Sequence, residues 1–169
     1  MAKTLIRDYA KCHGCRECEV ACATKSELTK GSSRPRVRSI TWDLEGWGIP
    51  MTCQQCQDAP CMAICPKDAL YRDDILNRIL VDYDRCIGCR MCVTVCPFGA
   101  MDFDPEFRKV IKCDLCDGDP LCASLCSYGA LKYVEENDQC AGKRMDVAEK
   151  LKEILLGRKG GGQGGFTWR

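Results

Sequence analysis

Hydrophobic residues in this chain occur in short runs rather than in long periodic stretches. Four runs, at residues 4–7, 50–52, 79–82 and 110–112, are rich in β-forming residues, and each predicts a short strand. A group of four cysteines follows each run, and the three residues between its third and fourth cysteines suit one turn of helix. Three groups are followed by the phrases PKDAL, PFGAM and SYGAL, which lead into further β-forming residues. The pattern predicts an α+β fold of short hairpins and short helices.

The segment 23–50 falls outside this pattern. It begins as a polar loop and continues as RPRVRSITWDLEGWG, in which Arg34, Arg36 and Arg38 alternate with other residues. The alternation predicts a strand with a basic face. That face is either a solvated edge whose arginines deter edge pairing, or a contact surface for a partner or an anionic cofactor.

The sequence predicts a core domain at residues 1–135. The residues after it are predicted to form a helix and a tail outside that domain. Within residues 136–157, a helical period places an apolar face on Val147, Ala148, Leu151, Ile154 and Leu155. This helix packs either on its own domain or in a groove of a partner. Residues 158–169 form a glycine-rich tail, which we predict to dock on a partner through Phe166 and Trp168.

The amino-acid composition and the net charge argue against some classes of function. The chain has 169 residues, 25 basic and 24 acidic residues and a net charge of +1, which is not the balance of a bulk nucleic-acid binder. It shows neither an apolar run long enough to cross a membrane nor a signal-peptide core before its first cysteine. We therefore expect a reducing cytoplasm, where clustered thiols bind metal rather than form disulfides.

Sixteen of the 17 cysteines form four quartets, and Cys140 is left over as a spare thiol. Two quartets share the spacing C-x2-C-x2-C-x3-C: Cys12, Cys15, Cys18 and Cys22, then Cys86, Cys89, Cys92 and Cys96. Two are looser, with four or five residues between the second and third cysteines: Cys53, Cys56, Cys61 and Cys65, then Cys113, Cys116, Cys122 and Cys126.

Such spacing favours iron–sulfur clusters over zinc. A structural zinc site usually takes two separated C-x2-C pairs, which these closely spaced triplets fit poorly. In two-cluster ferredoxins the fourth cysteine of a run, commonly followed by proline, serves the other cluster, and here Pro66 and Pro97 follow two fourth cysteines. With four thiolates for each [4Fe–4S] cluster, sixteen cysteines account for four clusters. The sequence therefore predicts a ferredoxin-like fold around four [4Fe–4S] clusters.

The quartets also repeat as pairs. DYAKCHGCREC aligns with DYDRCIGCRMC, and CQQCQDAPCMAIC with CDLCDGDPLCASLC, so a unit of two runs looks duplicated. Arg16 and Arg90 occupy matching positions and are candidates either for tuning cluster potentials or for ordinary exposed side chains. His13, the only histidine, is interpreted as a tuner of its surroundings rather than a base. No phosphate loop, nucleophile elbow or dinucleotide fingerprint is recognisable.

The phrases CQQCQDAPCMAICP, CIGCRMCVTVCPFGAM and KCDLCDGDPLCASLC resemble the four-cluster iron–sulfur subunits of molybdenum or tungsten bis-pterin oxidoreductases, such as the dimethyl sulfoxide reductase and formate dehydrogenase complexes. The compact length is similar to small polyferredoxin subunits found beside tungsten aldehyde oxidoreductases. The resemblance implies four nested ligand sets: Cys12, Cys15, Cys18 and Cys126; Cys22, Cys113, Cys116 and Cys122; Cys53, Cys56, Cys61 and Cys96; and Cys65, Cys86, Cys89 and Cys92. Ser127 and Ala23 stand where that family often has proline.

From these observations we expect a non-catalytic electron-transfer subunit of a hetero-oligomer. It would relay electrons between a tungsten- or molybdenum-pterin catalytic subunit, favoured as aldehyde oxidoreductase-like, and a flavoprotein or ferredoxin. The alternatives are the iron–sulfur subunit of a hydrogenase or carbon monoxide dehydrogenase, and a freestanding polyferredoxin that diffuses between enzymes. An iron–sulfur regulatory or storage protein is the least favoured.

Overall fold

The computed structural model describes residues 3–42, 44 and 46–135, and these residues form a small α+β fold, as the sequence predicts. Its helices are α1 (Glu17–Lys30), α2 (Pro60–Ala63), α3 (Met91–Val95) and α4 (Leu121–Ser124), with single 3₁₀ turns at Tyr9–Lys11 and Leu115–Gly118. Its strands are β1 (Lys3–Arg7), β2 (Arg38–Trp42), β3 (Trp47–Met51), β4 (Leu70–Asp73), β5 (Arg78–Val81), β6 (Met101–Asp104), β7 (Lys109–Lys112) and β8 (Leu131–Glu135).

The strands pair two by two. Strands β2 and β3, β4 and β5, and β6 and β7 form antiparallel hairpins, while β1 pairs with β8 from the far end of the described chain. The expected strands at residues 4–7, 79–82 and 110–112 therefore exist to within a residue or two. The strand expected at 50–52 is instead the end of β3, which stops at Met51.

Two buried clusters surround the cysteines. In one, Leu70, Ile79, Met101 and Val110 from two hairpins pack with Cys61, Cys86 and Cys92. In the other, Leu5, Val37, Leu115 and Leu131 pack with Cys22 and Cys122. Few large apolar side chains belong to either cluster, so the cysteines occupy much of the interior between the hairpins. This is the arrangement expected of a small domain that bound metal helps to stabilise.

The polar segment after Cys22 is the part of the fold for which the sequence prediction was wrong. Residues 23–30, expected as a loop, continue helix α1, which ends where Gly31 adopts a left-handed conformation with φ of 69°. The predicted basic strand face does not form, because β2 begins only at Arg38. Arg36 is buried and hydrogen-bonds Ser26, while Arg34 and Arg38 both bind Asp102 over 3.0 and 3.2 Å.

The two copies of the repeat have matching local contacts. The N–H of Asp8 donates to the carbonyl of Ala130 over 2.7 Å, and the N–H of Asp82 donates to the carbonyl of Ala69 over the same distance. Asp8 and Asp82 thus occupy matching positions, each just after a pair of strands and before a C-x2-C-x2-C loop. The duplication itself stays a prediction.

The amphipathic helix at 136–157, the tail at 158–169 and Cys140 lie outside the described residues. Among the helices that the structure does describe, none combines the length and the apolar character needed to cross a lipid bilayer.

Candidate iron–sulfur centres

One cavity, here called cavity A, brings Cys126 to the first cysteine loop. Cys12, Cys15, Cys18 and Cys126 line this small space. The loop can wrap around it because Gly14 adopts φ of 71° and Arg16, at the start of α1, adopts φ of 61°. Cys126 arrives from the end of α4, more than 100 residues away in the chain. Cavity A therefore joins the beginning and the end of the described chain through four thiols.

A second cavity, here called cavity B, repeats this arrangement. It is as small as cavity A and is lined by Cys65, Cys86, Cys89 and Cys92. Gly88 adopts φ of 69° and Arg90, before α3, adopts φ of 66°, so the loop has the same shape as that of cavity A. In both cavities the second cysteine of the loop, Cys15 or Cys89, is the exposed one.

The other eight cysteines of the quartets line neither cavity. Cys22 packs in the same buried cluster as Cys113 and Cys122, and the charges of Cys113, Cys22 and Cys116 act on Cys122. Cys96 packs with Cys56 and Cys61, and the charges of Cys53 and Cys96 act on Cys61. In each buried cluster, cysteines from different runs thus lie close together.

Backbone N–H groups point at the fourth cysteine of every run. The Sγ atoms of Cys65, Cys96 and Cys126 accept hydrogen bonds from Ala69, Ala100 and Leu131 over 3.3, 3.4 and 3.4 Å. These loops close on left-handed residues Asp68, Gly99 and Gly129. Cys22 differs, because its Sγ accepts from the N–H of Arg36 over 3.1 Å, fourteen residues later. Such hydrogen bonds stabilise thiolate sulfur and raise the reduction potential of a bound cluster.

Burial disfavours the ionised form of several thiols. It raises the pKa of Cys18 to about 12 and the pKa of Cys92 and Cys113 to about 11, with neighbouring thiolate charges adding to the effect. Burial likewise raises the pKa of Cys122. Thiolates at these positions therefore need a compensating cation, and iron supplies one when it binds.

The donor set fits iron–sulfur clusters better than a single metal ion. Over the described ranges, no three His, Cys, Asp or Glu side chains converge closely enough to hold one ion. Four thiols spread around a cavity match a cubane instead, because each thiolate then binds a different iron. The residues present thus fit [4Fe–4S] clusters, which supply reversible one-electron chemistry when bound.

The residues that the sequence indicates as candidates for tuning the clusters line the two cavities. Arg16 lines cavity A and donates to Thr41 over 2.6 Å, whereas Arg90 lines cavity B and lies 3.8 Å from the ring centroid of Phe103. His13 lines cavity A, and the centroid of its ring lies 4.4 Å from the ring centroid of Tyr128. Phe166 and Trp168 lie outside the described residues, and their docking role stays a prediction.

Several basic side chains that sequence reasoning missed bind the cysteine loops directly, among them three on the strands before the loops. Arg7 donates to the carbonyl of Cys53 over 2.7 Å, Lys112 donates to that of Cys113 over 3.0 Å, and Lys109 donates to that of Cys86. Each lies on a strand before a quartet, but Arg7 and Lys109 bind the loop of a different quartet from the one that follows them. The pairing of β1 and β8 and the reach of each side chain were not visible in the sequence.

Comparison with known proteins agrees with this chemistry. The 4Fe-4S dicluster domain family matches residues 45–136. The chain is 40% identical over 111 residues to the electron transport protein HydN of Escherichia coli, covering 60% of each protein. It is 35% identical to the thiosulfate reductase electron transfer subunit PhsB of Salmonella typhi, covering 64% of this chain and 59% of that protein. It is 40% identical to the formate dehydrogenase iron-sulfur subunit of Wolinella succinogenes, covering 57% and 48%.

The chain spans no more than about 60% of the length of these relatives. The matched region nevertheless contains most of the cysteine loops described above and more than half of the chain. The chain belongs to the 4Fe-4S dicluster domain family of iron–sulfur electron-transfer proteins.

Proposed function

We propose that this protein holds four [4Fe–4S] clusters and relays electrons through them. The ligand sets are the nested ones that the resemblance implies. Cavity A supports the first set, and cavity B supports the set of Cys65, Cys86, Cys89 and Cys92. The packing of Cys22 beside Cys113 and Cys122, and of Cys96 beside Cys61, supports the two sets between them.

Contacts between the sets favour a linear order of clusters. The charge of Cys18, from the cavity A set, acts on Cys122 of the next set. The charge of Cys53 acts on Cys113, and the charge of Cys61 acts on Cys92 of the cavity B set. Each set therefore lies within electrostatic range of the next, from cavity A to cavity B. A chain of close centres replaces one long electron jump by several short ones.

The observation that carries the proposal is the exposure of a thiol at each end of this order. Cys15 at cavity A and Cys89 at cavity B are exposed, whereas every cysteine of the two middle sets is buried or half-buried. Electrons can therefore enter at one end and leave at the other, shielded from solvent between them. Such a protein transfers electrons and has no catalytic site of its own.

The partner that we favour is a tungsten- or molybdenum-pterin catalytic subunit in a cytoplasmic hetero-oligomer. The names of the thiosulfate reductase and formate dehydrogenase relatives support an iron–sulfur subunit of such an oxidoreductase. Among these we favour an aldehyde oxidoreductase-like partner, with a flavin-containing subunit or a ferredoxin at the other end. A hydrogenase or carbon monoxide dehydrogenase is the alternative catalytic partner.

A freestanding polyferredoxin is the second candidate. The relative HydN is named an electron transport protein rather than a subunit, which favours a carrier that diffuses between enzymes. Both candidates require the same clusters, so they differ only in whether a stable complex forms.

Anaerobic affinity purification of the tagged full-length protein from its own cells distinguishes the two. We expect about sixteen irons per chain, as four [4Fe–4S] clusters require, and a large subunit with stoichiometric tungsten or molybdenum. A chain lacking residues 158–169 is the matched comparison for the docking role of Phe166 and Trp168. Full iron without a companion would establish the carrier instead, and iron for two clusters or fewer would contradict the four-cluster proposal.

A further inference from the structure

Two cations that no motif points to lie where the two middle ligand sets meet. Lys112 is only 3% exposed and lies at the end of β7, directly before Cys113. Arg7 is half-buried at the end of β1. Both contact the loop that runs from Cys53 to Cys56, although they come from strands that do not pair with each other.

Lys112 is fixed by three acceptors. Its Nζ donates to Oε1 of Gln55 over 2.8 Å, to the carbonyl of Ile79 over 2.8 Å and to the carbonyl of Cys113 over 3.0 Å. Three acceptors satisfy the three N–H donors of an ammonium group. Gln55 also joins the two loops, because its Nε2 donates to the carbonyl of Cys113 over 2.9 Å. The charge of Lys112 therefore has one position, between the Cys53 loop and the Cys113 loop.

Arg7 is held against the same loop by different partners. Its Nη1 donates to Oε1 of Gln54 over 2.8 Å, its Nη2 donates to the carbonyl of Cys53 over 2.7 Å, and its Nε bonds Thr52. The ionised side chains of Cys113 and Cys53 both act on its guanidinium. Neighbouring residues Gln54 and Gln55 thus each orient one cation at this junction.

A positive charge at this position matters for redox chemistry. Four thiolates make each cluster site net negative, and every arriving electron adds another negative charge. A fixed cation nearby favours the reduced form and raises the potential of a cluster, most strongly where burial excludes water. The middle sites contain buried Cys53, Cys61 and Cys122, so solvent screens them poorly.

We infer that the fixed positive charges of Arg7 and Lys112 together raise the reduction potentials of the two middle clusters. This inference rests on the proposed four-cluster function. It assigns to Gln54 and Gln55 the role of orienting the two charges. Without the cations, the middle clusters would be harder to reduce than they are in the native protein.

The test compares neutral variants of the anaerobically purified full-length protein. We expect Arg7→Met and Lys112→Met to lower the midpoint potentials of the same cluster signals in titrations followed by electron paramagnetic resonance. The expected size is a tenfold change in the ratio of reduced to oxidised cluster at a fixed potential, about 59 mV for one electron. Arg7→Lys, which keeps the charge, should keep the midpoint potentials close to those of the wild-type protein.

Lys109→Met is the matched control. Lys109 is also a lysine of β7 whose Nζ bonds backbone carbonyls, those of Tyr83 and Cys86, but it lies beside the cavity B set. It should leave the signals that respond to Arg7 and Lys112 unchanged. A merely structural role for Lys112 would lower stability or iron content without a common shift.

Three results would overturn the inference: wild-type midpoints in both neutral variants at full iron content, shifts in different signals, or an equal shift of the same signals in Lys109→Met. If Lys112→Met loses its iron, the midpoint potentials of Arg7→Met and Arg7→Lys are compared instead, and this comparison tests the inference by itself. Failure of the proposed function is separate, because the wild-type protein itself would then show fewer than four reducible clusters.

Discussion

Cavities A and B share a cysteine loop but differ in what surrounds it. In both, a left-handed glycine and a left-handed arginine shape the loop, with φ of 71° and 61° in cavity A and of 69° and 66° in cavity B. Cavity A is lined by His13, Tyr128 and Ser39, whereas cavity B is lined by Ile87, Pro66 and Lys67. The repeated spacing therefore determines the loop, while the inserted and substituted residues determine its surroundings.

The helices after the two loops differ more. Helix α3 has 5 residues, and Cys96 follows it at once, accepting a hydrogen bond from nearby Ala100. Helix α1 has 14 residues and continues past Cys22, so the N–H that reaches Cys22 belongs to Arg36 beyond the helix. The first run thus has a distant contact where the third run has a short local one, and Cys22 still lies in a buried cluster.

The largest expected effect concerns which cysteines share a cluster. Cys12→Ala and Cys126→Ala should each disrupt one cluster, about a quarter of the bound iron, and the double variant should disrupt no more, because both line cavity A. Cys65→Ala with Cys89→Ala is the same experiment at cavity B. Iron analysis and electron paramagnetic resonance measure the loss. A double variant that loses two clusters would refute nesting.

Substituting the loop glycines should show the next largest effect. A Cβ at Gly88 would lie 2.6 Å from the backbone oxygen of Arg108, whereas one at Gly14 would lie 2.9 Å from a side-chain methyl of Thr41. Both positions have positive φ, which alone costs about 1–2 kcal/mol. We expect Gly88→Ala to be worse, at about 2–4 kcal/mol, because backbone cannot yield as a side chain does.

Thermal unfolding under anaerobic conditions, followed by circular dichroism and by cluster absorbance, measures this difference. Gly99→Ala is the control, since it has a positive φ but no atom within 4 Å of the added Cβ. Equal losses in all three variants would mean that conformational strain, and not the contact with Arg108, sets the cost.

Sequence reasoning was most successful where chemistry constrains the spacing. A loop that presents three thiols to one centre tolerates little variation, so the quartets and the short strands before them could be predicted. Helix α1 could not, because its second half is polar and two of its threonines, Thr24 and Thr29, compete for backbone carbonyls. Tertiary contacts stabilise it instead, including the hydrogen bond from Arg36 to Ser26.

The cations at the cysteine loops were missed for a related reason. Lys112 precedes Cys113 in the sequence, yet its partners Gln55 and Ile79 come from the neighbouring run and its hairpin. Position in the chain indicates that a lysine is near a ligand, but only the packing of hairpins indicates whether it is buried. Arg34 and Arg38, which look like a solvated basic face, are in contrast tied to Asp102.

A smaller effect is expected from exchanging residues between the cavities. His13→Ile gives cavity A the residue of cavity B, and Ile87→His does the reverse. Because polar surroundings favour the reduced cluster, the first change should lower and the second should raise the midpoint of the adjacent cluster, each by less than tenfold in the reduced-to-oxidised ratio. The cysteine variants identify which signal belongs to each cavity. A shift in a middle cluster instead would show that the two cavities are not independent.

The smallest effect belongs to the ion pairs that join the segment after α1 to strand β6. Arg34 and Arg38 lie 3.0 and 3.2 Å from Oδ2 of Asp102, and all three side chains are about 40% exposed. Water screens such pairs, so Arg34→Ala should cost at most about 1 kcal/mol in the free energy of unfolding. Arg38 keeps Asp102 paired in that variant, whereas Asp102→Asn removes both pairs and should cost somewhat more. Thermal unfolding compares the two, and a loss in Arg34→Ala as large as that of Gly88→Ala would mean that this segment, rather than the cysteine loops, limits the stability of the fold.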